Sequence, residues 1–351
     1  KYYSSNIMKV ALISNLPIAE MEQKAQKYFA DIKNKNIEKP TVTAKLDFDN
    51  AGGKRVFYAP NEDVKQLQLD FTIANNNSEF ALKPNRFVAY LLSNEMPGSP
   101  AQLLRDKGWV SQLSASAAPN QYGNYGSLNV NVELTDEGMK NRDEIVATIM
   151  QYIDLIKKEG VDSKYFNEIR TSLNNQFKFL EKGDEFNYVS SLTQSMQDYP
   201  LNHAINAPYY YAKFDADAVN NVLEQLNADT LRIWYVSQQE ETDSKLHFYD
   251  GKYRISDISD DEIASWKKPS EFKLALPTVN NLLPENFAIK TQAFKEQKHP
   301  ELAYDKNGVK VWRQASQKFA EQPKGLVEVY INTQPGLNDI KAEVLYSVWA
   351  D

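Results

Sequence analysis

The chain has no cysteine, which removes disulfides, thiolate metal sites, iron–sulfur clusters and cysteine nucleophiles together. Histidine is almost as scarce. His203, His247 and His299 are the whole complement, and no two lie closer than 44 residues. Metal-binding helices set two ligands one turn apart so that both face one ion. No second histidine stands at helical spacing from any of the three. A G-x-S-x-G elbow and a G-x-x-x-x-G-K phosphate loop are also missing, so neither common hydrolase nor nucleotide chemistry has a local signature. No apolar run approaches the ~20 residues of a membrane span. Basic surplus is absent too: the net charge is -7, which excludes a phosphate-neutralising nucleic-acid binder and a polybasic membrane-surface protein.

What is present is ordinary globular material. Of 351 residues, 42% are hydrophobic and 25% charged, which excludes disorder as a whole. Carboxylate pairs such as Glu240-Glu241 and Asp260-Asp261 sit in polar stretches and read as solvated. The 20 tyrosines and 16 phenylalanines are first of all core material. Lys1-Tyr2-Tyr3 is neither an initiator methionine nor a signal peptide, and Lys341 to Tyr346 reads as a helix in progress near Asp351. Both ends read as cut.

Along the chain, the nearly continuous apolar run Ile7 to Ser14 suggests a strand buried on both faces. Pro17 opens a helix to about Ile32. Residues 33–53 read as a linker. Leu67, Leu69, Phe71 and Ile73 alternate, as in a strand with one buried face. A helix runs from about Pro84 to Asn94. Pro97-Gly98 breaks it, and Ser99 caps the next, with Pro100 first inside and Gln102 closing a capping box. Gly108 ends that helix. Trp109 to Leu134 reads as a hairpin turning between Pro119 and Gly126. Thr135 caps one long helix to Gly160. Helices follow over 163–181, with Tyr165, Ile169, Leu173, Phe177 and Leu180 inward, and on to about Gln197. Asp215 starts a helix to Leu226, and Leu231 to Val236 is a strand. Residues 238 to about 300 read as irregular. This order predicts an α+β fold of two-layer domains, a largely antiparallel mixed sheet covered by helices. Read from the residues alone, the chain is a scaffold without a catalytic centre.

Three stretches resemble the pitrilysin and insulin-degrading enzyme family of zinc peptidases. They are Tyr2-Tyr3-Ser4-Ser5-Asn6-Ile7-Met8; Asn94-Glu95-Met96-Pro97-Gly98-Ser99 with Leu103 to Val110 and Val132 to Gly138; and Leu283-Pro284-Glu285-Asn286-Phe287 with His299-Pro300, Val311-Trp312 and Pro323-Lys324. The resemblance implies four related α+β domains closing around a peptide, with zinc held by an H-x-x-E-H helix and a later Glu. This sequence carries no such motif, so it implies a non-catalytic interior piece without cofactor of its own. The expected division is 1–39, the end of a catalytic first domain; 40–53, a linker; 54–276, a second α+β domain; 277–300, a connector; and 301–351, the start of a third domain. Expected partners are peptide substrates and the other domains of the same parent chain. The expected compartment is the periplasm, with the cytoplasm open. In the family the second domain anchors a substrate's amino end beside an edge strand. By resemblance this puts Asn94, Glu95 and Gly98 on the anchoring loop and Leu113, Ser114, Ala115 and Ser116 on the strand. Where the family has a His in the loop and Gly-Gly in the strand, this chain has Asn94 and Ala115-Ser116. An alternative stays open: a parent that is a catalytically inactive homologue, acting as a peptide-binding or scaffold protein.

Overall fold

The structure is a computed structural model that describes residues 2–42, 44, 52–181, 183–289, 298–316, 320, 322–331 and 339–350. It divides into two compact units, Lys1–Leu283 and Pro284–Asp351. Parts of the expected linker (43 and 45–51) and connector (290–297) lie outside the described residues.

In the first unit, the period-two sequence pattern builds a seven-stranded sheet. Its strands are β1 (Lys54–Ala59), β2 (Lys65–Ala74), β3 (Val110–Gln121), β4 (Tyr125–Leu134), β5 (Leu231–Ser237), β6 (Ser244–Lys245) and β7 (Lys252–Asp257). Their order is β3-β4-β2-β5-β1-β7-β6. The β1–β5 pair is parallel and the other pairs are antiparallel, so the expected largely antiparallel mixed sheet is what forms. Leu67, Leu69, Phe71 and Ile73 of β2, Leu128, Val130 and Val132 of β4, and Leu231 and Ile233 of β5 are buried in one cluster. Burying each such side chain contributes about 1.5–3 kcal/mol.

Helices that contribute to that cluster include α2 (Pro84–Leu92), α3 (Pro100–Asp106), α5 (Arg142–Leu155), α6 (Ser163–Lys178) and α8 (Ala216–Glu224); α1 (Ile18–Phe29) and α7 (Glu185–Asp198) bury no residue. Local chemistry sets the helix ends. The Ser99 hydroxyl accepts from the Gln102 N–H at 3.2 Å, and the Gln102 side-chain oxygen accepts from the Gly98 N–H at 2.9 Å. Asp215 caps α8 in the same way.

Several expectations are corrected. Ile7 to Ser14 is not a strand. Ser5–Ile7 forms a 3-10 turn, and Val10, Leu12 and Ile13 are 39–48% exposed. An apolar run becomes a strand only when a neighbour takes its backbone bonds, and the described residues offer none. The helix from Thr135 to Gly160 is broken. Thr135 caps α4 (Asp136–Lys140), Asn141 interrupts, and α5 ends in a π turn over Ile156–Gly160. Asn141 leaves helical geometry and its amide donates to the Glu137 carbonyl, the usual way a short polar side chain competes with the ladder. Phe177 and Leu180 are half-exposed rather than inward, with Phe177 against Tyr209 at 5.5 Å.

The stretch after Val236 is ordered where irregularity was expected. It holds β6, β7 and α9 (Asp260–Trp266). Asp260 and Asp261 are exposed in the first turn of α9, but Glu240 is not solvated. Its side chain is 6% exposed and ion-paired with Arg142. Nearby, Arg55 meets Glu262 at 2.5 Å, and both Arg55 and Arg142 lie against the Tyr235 ring. Burial raises the Tyr235 phenol, which stays protonated. These paired charges seat the β5–β7 connection and α9 on the sheet.

In the second unit, β8 (Glu301–Lys306) and β9 (Val309–Arg313) form an antiparallel hairpin, and Ile340–Ala350 is a helix, α10.

Candidate peptide-binding edge

β3 ends the sheet. It pairs with β4 from Val110↔Leu134 to Gln121↔Tyr125, and among the described residues no strand lies on its other side. Leu113 is buried in the core and Ala115 packs against it, whereas Ser114 and Ser116 stand on the opposite face with Asn131 and Asn129. The run Ser114-Ala115-Ser116-Ala117-Ala118 has only small side chains, so a second backbone meets little steric obstruction along it. A register shift between Val110 and Gln112 distorts the start of the edge. Pro119 marks its far end, in the edge position that a strand proline requires, and its carbonyl accepts from the Asn76 N–H. Between these limits Gln112 to Ala118 keep an unbroken register with β4, and among the described residues no strand takes the backbone groups on their other side.

The loop before α3 is held at this strand by the helices on either side of it, since α2 and α3 both pack on β3. Its side chains are internally committed. The Asn94 carbonyl oxygen accepts from the Met96 N–H at 2.9 Å, and Glu95 pairs with Arg105 at 3.0 Å. Gly98 is buried with φ +90°, and a Cβ there would fall 2.6 Å from the Ala275 methyl. Its N–H is taken by Gln102 and its carbonyl by the Ala275 N–H at 2.9 Å. Asn94 and Glu95 thus remain at the surface beside the strand, while Gly98 is covered.

What covers it was not foreseen. Residues 271–280 cross the loop and α6: Phe272, Leu274 and Leu276 pack against the core, Tyr165 donates to the Pro277 carbonyl at 2.8 Å, and the Asn280 N–H donates to Glu168 at 2.7 Å. Tyr90 donates to the second Glu168 oxygen at 2.7 Å. Burial, and then this bond, pushes the Tyr90 phenol up, so the proton stays on the donor. The alternation Phe272, Leu274, Leu276 is a period-two signal that marks this segment in the sequence.

The histidines do not converge. His203 stacks on Tyr210 at 4.7 Å and bonds Asn206, and His247 lies against Phe248. Among the described residues no three His, Asp or Glu side chains gather where one ion could be held. The described residues therefore do not fit a zinc ion, and no chemical step through a metal is assigned to them. No described helix is long and apolar enough to cross a membrane.

Residues 1–173 match the family profile described as "Peptidase M16 inactive domain", and residues 177–351 match "Middle or third domain of peptidase M16". The chain belongs to the peptidase M16 family. The seam between the two M16 profiles falls inside α6. The chain is 32% identical over 349 residues to Protease 3 of Escherichia coli K12, covering 99% of this chain and 36% of that protein. It is 28% identical over 322 residues to the human insulin-degrading enzyme, covering 91% of this chain and 31% of the relative. The crystal structure of pitrilysin superposes with a TM-score of 0.79 at 33% identity, over 88% of this chain and 33% of that one. The chain thus spans about a third of the length of these M16 relatives.

Proposed function

We propose that this chain is the central, non-catalytic segment of a zinc metalloendopeptidase, forming wall for the space in which peptides are degraded and anchoring them along β3. In this reading residues 1–39 close the catalytic domain, 40–53 link it to the second domain at 54–276, 277–300 connect onward, and 301–351 open the third. The zinc, the attacking water and its base belong to other parts of the parent. The partners are peptide substrates and those other domains, and the compartment is the periplasm.

The observation that carries the anchoring role is the position of β3 at the open edge of a sheet. A peptide can add there as a further strand through main-chain hydrogen bonds, with little demand on side-chain identity. Asn94 and Glu95 flank the entry, where a peptide's terminal amine would share the Glu95 carboxylate with Arg105. Gly98, with both backbone groups engaged, supports the loop from beneath.

Proline substitution tests this directly. Successive N–H groups of a strand point to opposite edges, so of Ala115 and Ser116 one donates toward β4 and the other outward. Ala115→Pro and Ser116→Pro are each tested with a fluorescent peptide of about 30 residues. The outward-facing variant is expected to keep the fold and lose peptide binding, and the inward-facing one to weaken the sheet. Unchanged peptide binding in both variants removes the anchoring role.

A further inference from the structure

Residues 271–280 touch the approaches to the candidate edge at two places, the residues just before β3 and the loop before α3, and grip α6 at a third. At one end, Glu271 pairs with Lys107 at 2.8 Å, and the Lys107 ammonium lies 5.8 Å from the Trp109 ring and 5.5 Å from Phe272. Trp109 meets Phe272 edge-on at 5.8 Å and immediately precedes β3. In the middle, the Ala275 N–H and methyl close over Gly98, the residue ahead of the α3 cap, and Thr278 reaches Met96 at 3.5 Å. At the other end, Tyr165 and Glu168 of α6 grip Pro277 and Asn280, only a few residues before the first compact unit ends at Leu283. The segment therefore spans both ends of α3, the helix that joins the loop to β3, and the exit of the chain from the unit. It lacks helix or strand structure, so its place depends on these few bonds and on Phe272, Leu274 and Leu276 packing against the core. Two are individually replaceable: the Tyr165 hydroxyl and the Glu271 carboxylate.

We infer that residues 271–280 form a strap that couples the peptide-binding edge to the chain leaving the first unit, so that occupancy of the edge tightens the strap and a loosened strap slackens the edge. The inference rests on the reading of β3 as a peptide-binding edge. Linkage makes such coupling reciprocal, so it can be approached from either side.

Amide hydrogen exchange on the full 351-residue chain tests it in two arms. In the first, without peptide, Tyr165→Phe releases the Pro277 end and Glu271→Gln releases the Lys107 end. Both leave the packed rings in place. Exchange in residues 96–99 and 109–113 is expected to quicken roughly fivefold, the effect of one lost hydrogen bond, with no change in the β6–β7 hairpin. Acceleration confined to 271–280 overturns the coupling, as does uniform acceleration across the unit, which reports only lost stability. In the second arm, a saturating extended peptide slows exchange in β3 and in 275–280 together. Protection of β3 with the strap unchanged overturns the coupling and leaves the anchoring role standing. No protection of β3 overturns the anchoring role, and the first arm still decides the coupling.

Discussion

The two edges of the sheet are built on opposite plans. At one end β6 is two residues long, Ser244–Lys245, and lies next to charged Asp243 and Lys252, so it presents almost no ladder to a newcomer. At the other end β3 runs twelve residues with a central stretch of serine and alanine. Edge strands are normally shortened, charged or distorted to prevent unwanted pairing. β6 follows that practice along its whole length. β3 follows it only at its limits, with the register shift near Ser111 and Pro119. This contrast between a defended and an undefended edge is what supports the proposed addition of a peptide backbone at β3.

The largest expected effect separates the two edges by what lies beneath them. Leu113 of β3 is buried whereas Ile255 of β7 is 54% exposed. Leu113→Ala is expected to destabilise by about 2–5 kcal/mol through lost transfer energy and a cavity. Ile255→Ala should stay within roughly 0.5 kcal/mol. Urea denaturation with a constant m-value checks both. Equal losses contradict the claim that β3, though an edge, is a core strand.

A second contrast concerns charges near the short edge. Glu240, between β5 and β6, is nearly buried and paired with a mostly covered Arg142. Glu240→Ala strands a guanidinium that is still about a quarter exposed, which places the cost at about 2–4 kcal/mol, in the lower part of the buried-pair range. Asp257→Ala on β7 breaks the 2.5 Å pair with Lys54 of β1, but Asp257 is 80% exposed, and the cost should be under about 1 kcal/mol. Thermal denaturation at low and high salt distinguishes them, because added salt weakens the exposed pair and leaves the covered one nearly unchanged.

The sequence discloses the interior of this fold better than its margins. The alternation in β2 and β4 and the Ser99 and Thr135 caps are local and are found where their residues indicate, though Gln102 reaches back to the Gly98 N–H and not, as a capping box would, to that of Ser99. Alternation tells which face of a strand is buried but not which strand stands beside it, so the residues alone do not disclose the edge position of β3, which the family resemblance implies and the sheet order gives. β7 is mostly polar and partly exposed, and offers too little apolar pattern to announce a strand. Glu240 reads as solvated because its partner is distant in sequence: Arg142 arrives through the tertiary fold alone. The apolar run Ile7 to Ser14 misleads for the same reason in reverse, since composition suggests a strand and pairing decides it. Of the candidate site, the strand and loop residues came from resemblance to the family, and the cover over Gly98 from the fold.

The most direct test of the central claim is an exchange footprint of a bound extended peptide on the whole chain. The account predicts protection along Ser114 to Ala117 on the outer side of β3, with Ser244–Lys245 unaffected. Protection at the β6 edge, or on the helices with β3 untouched, would contradict it.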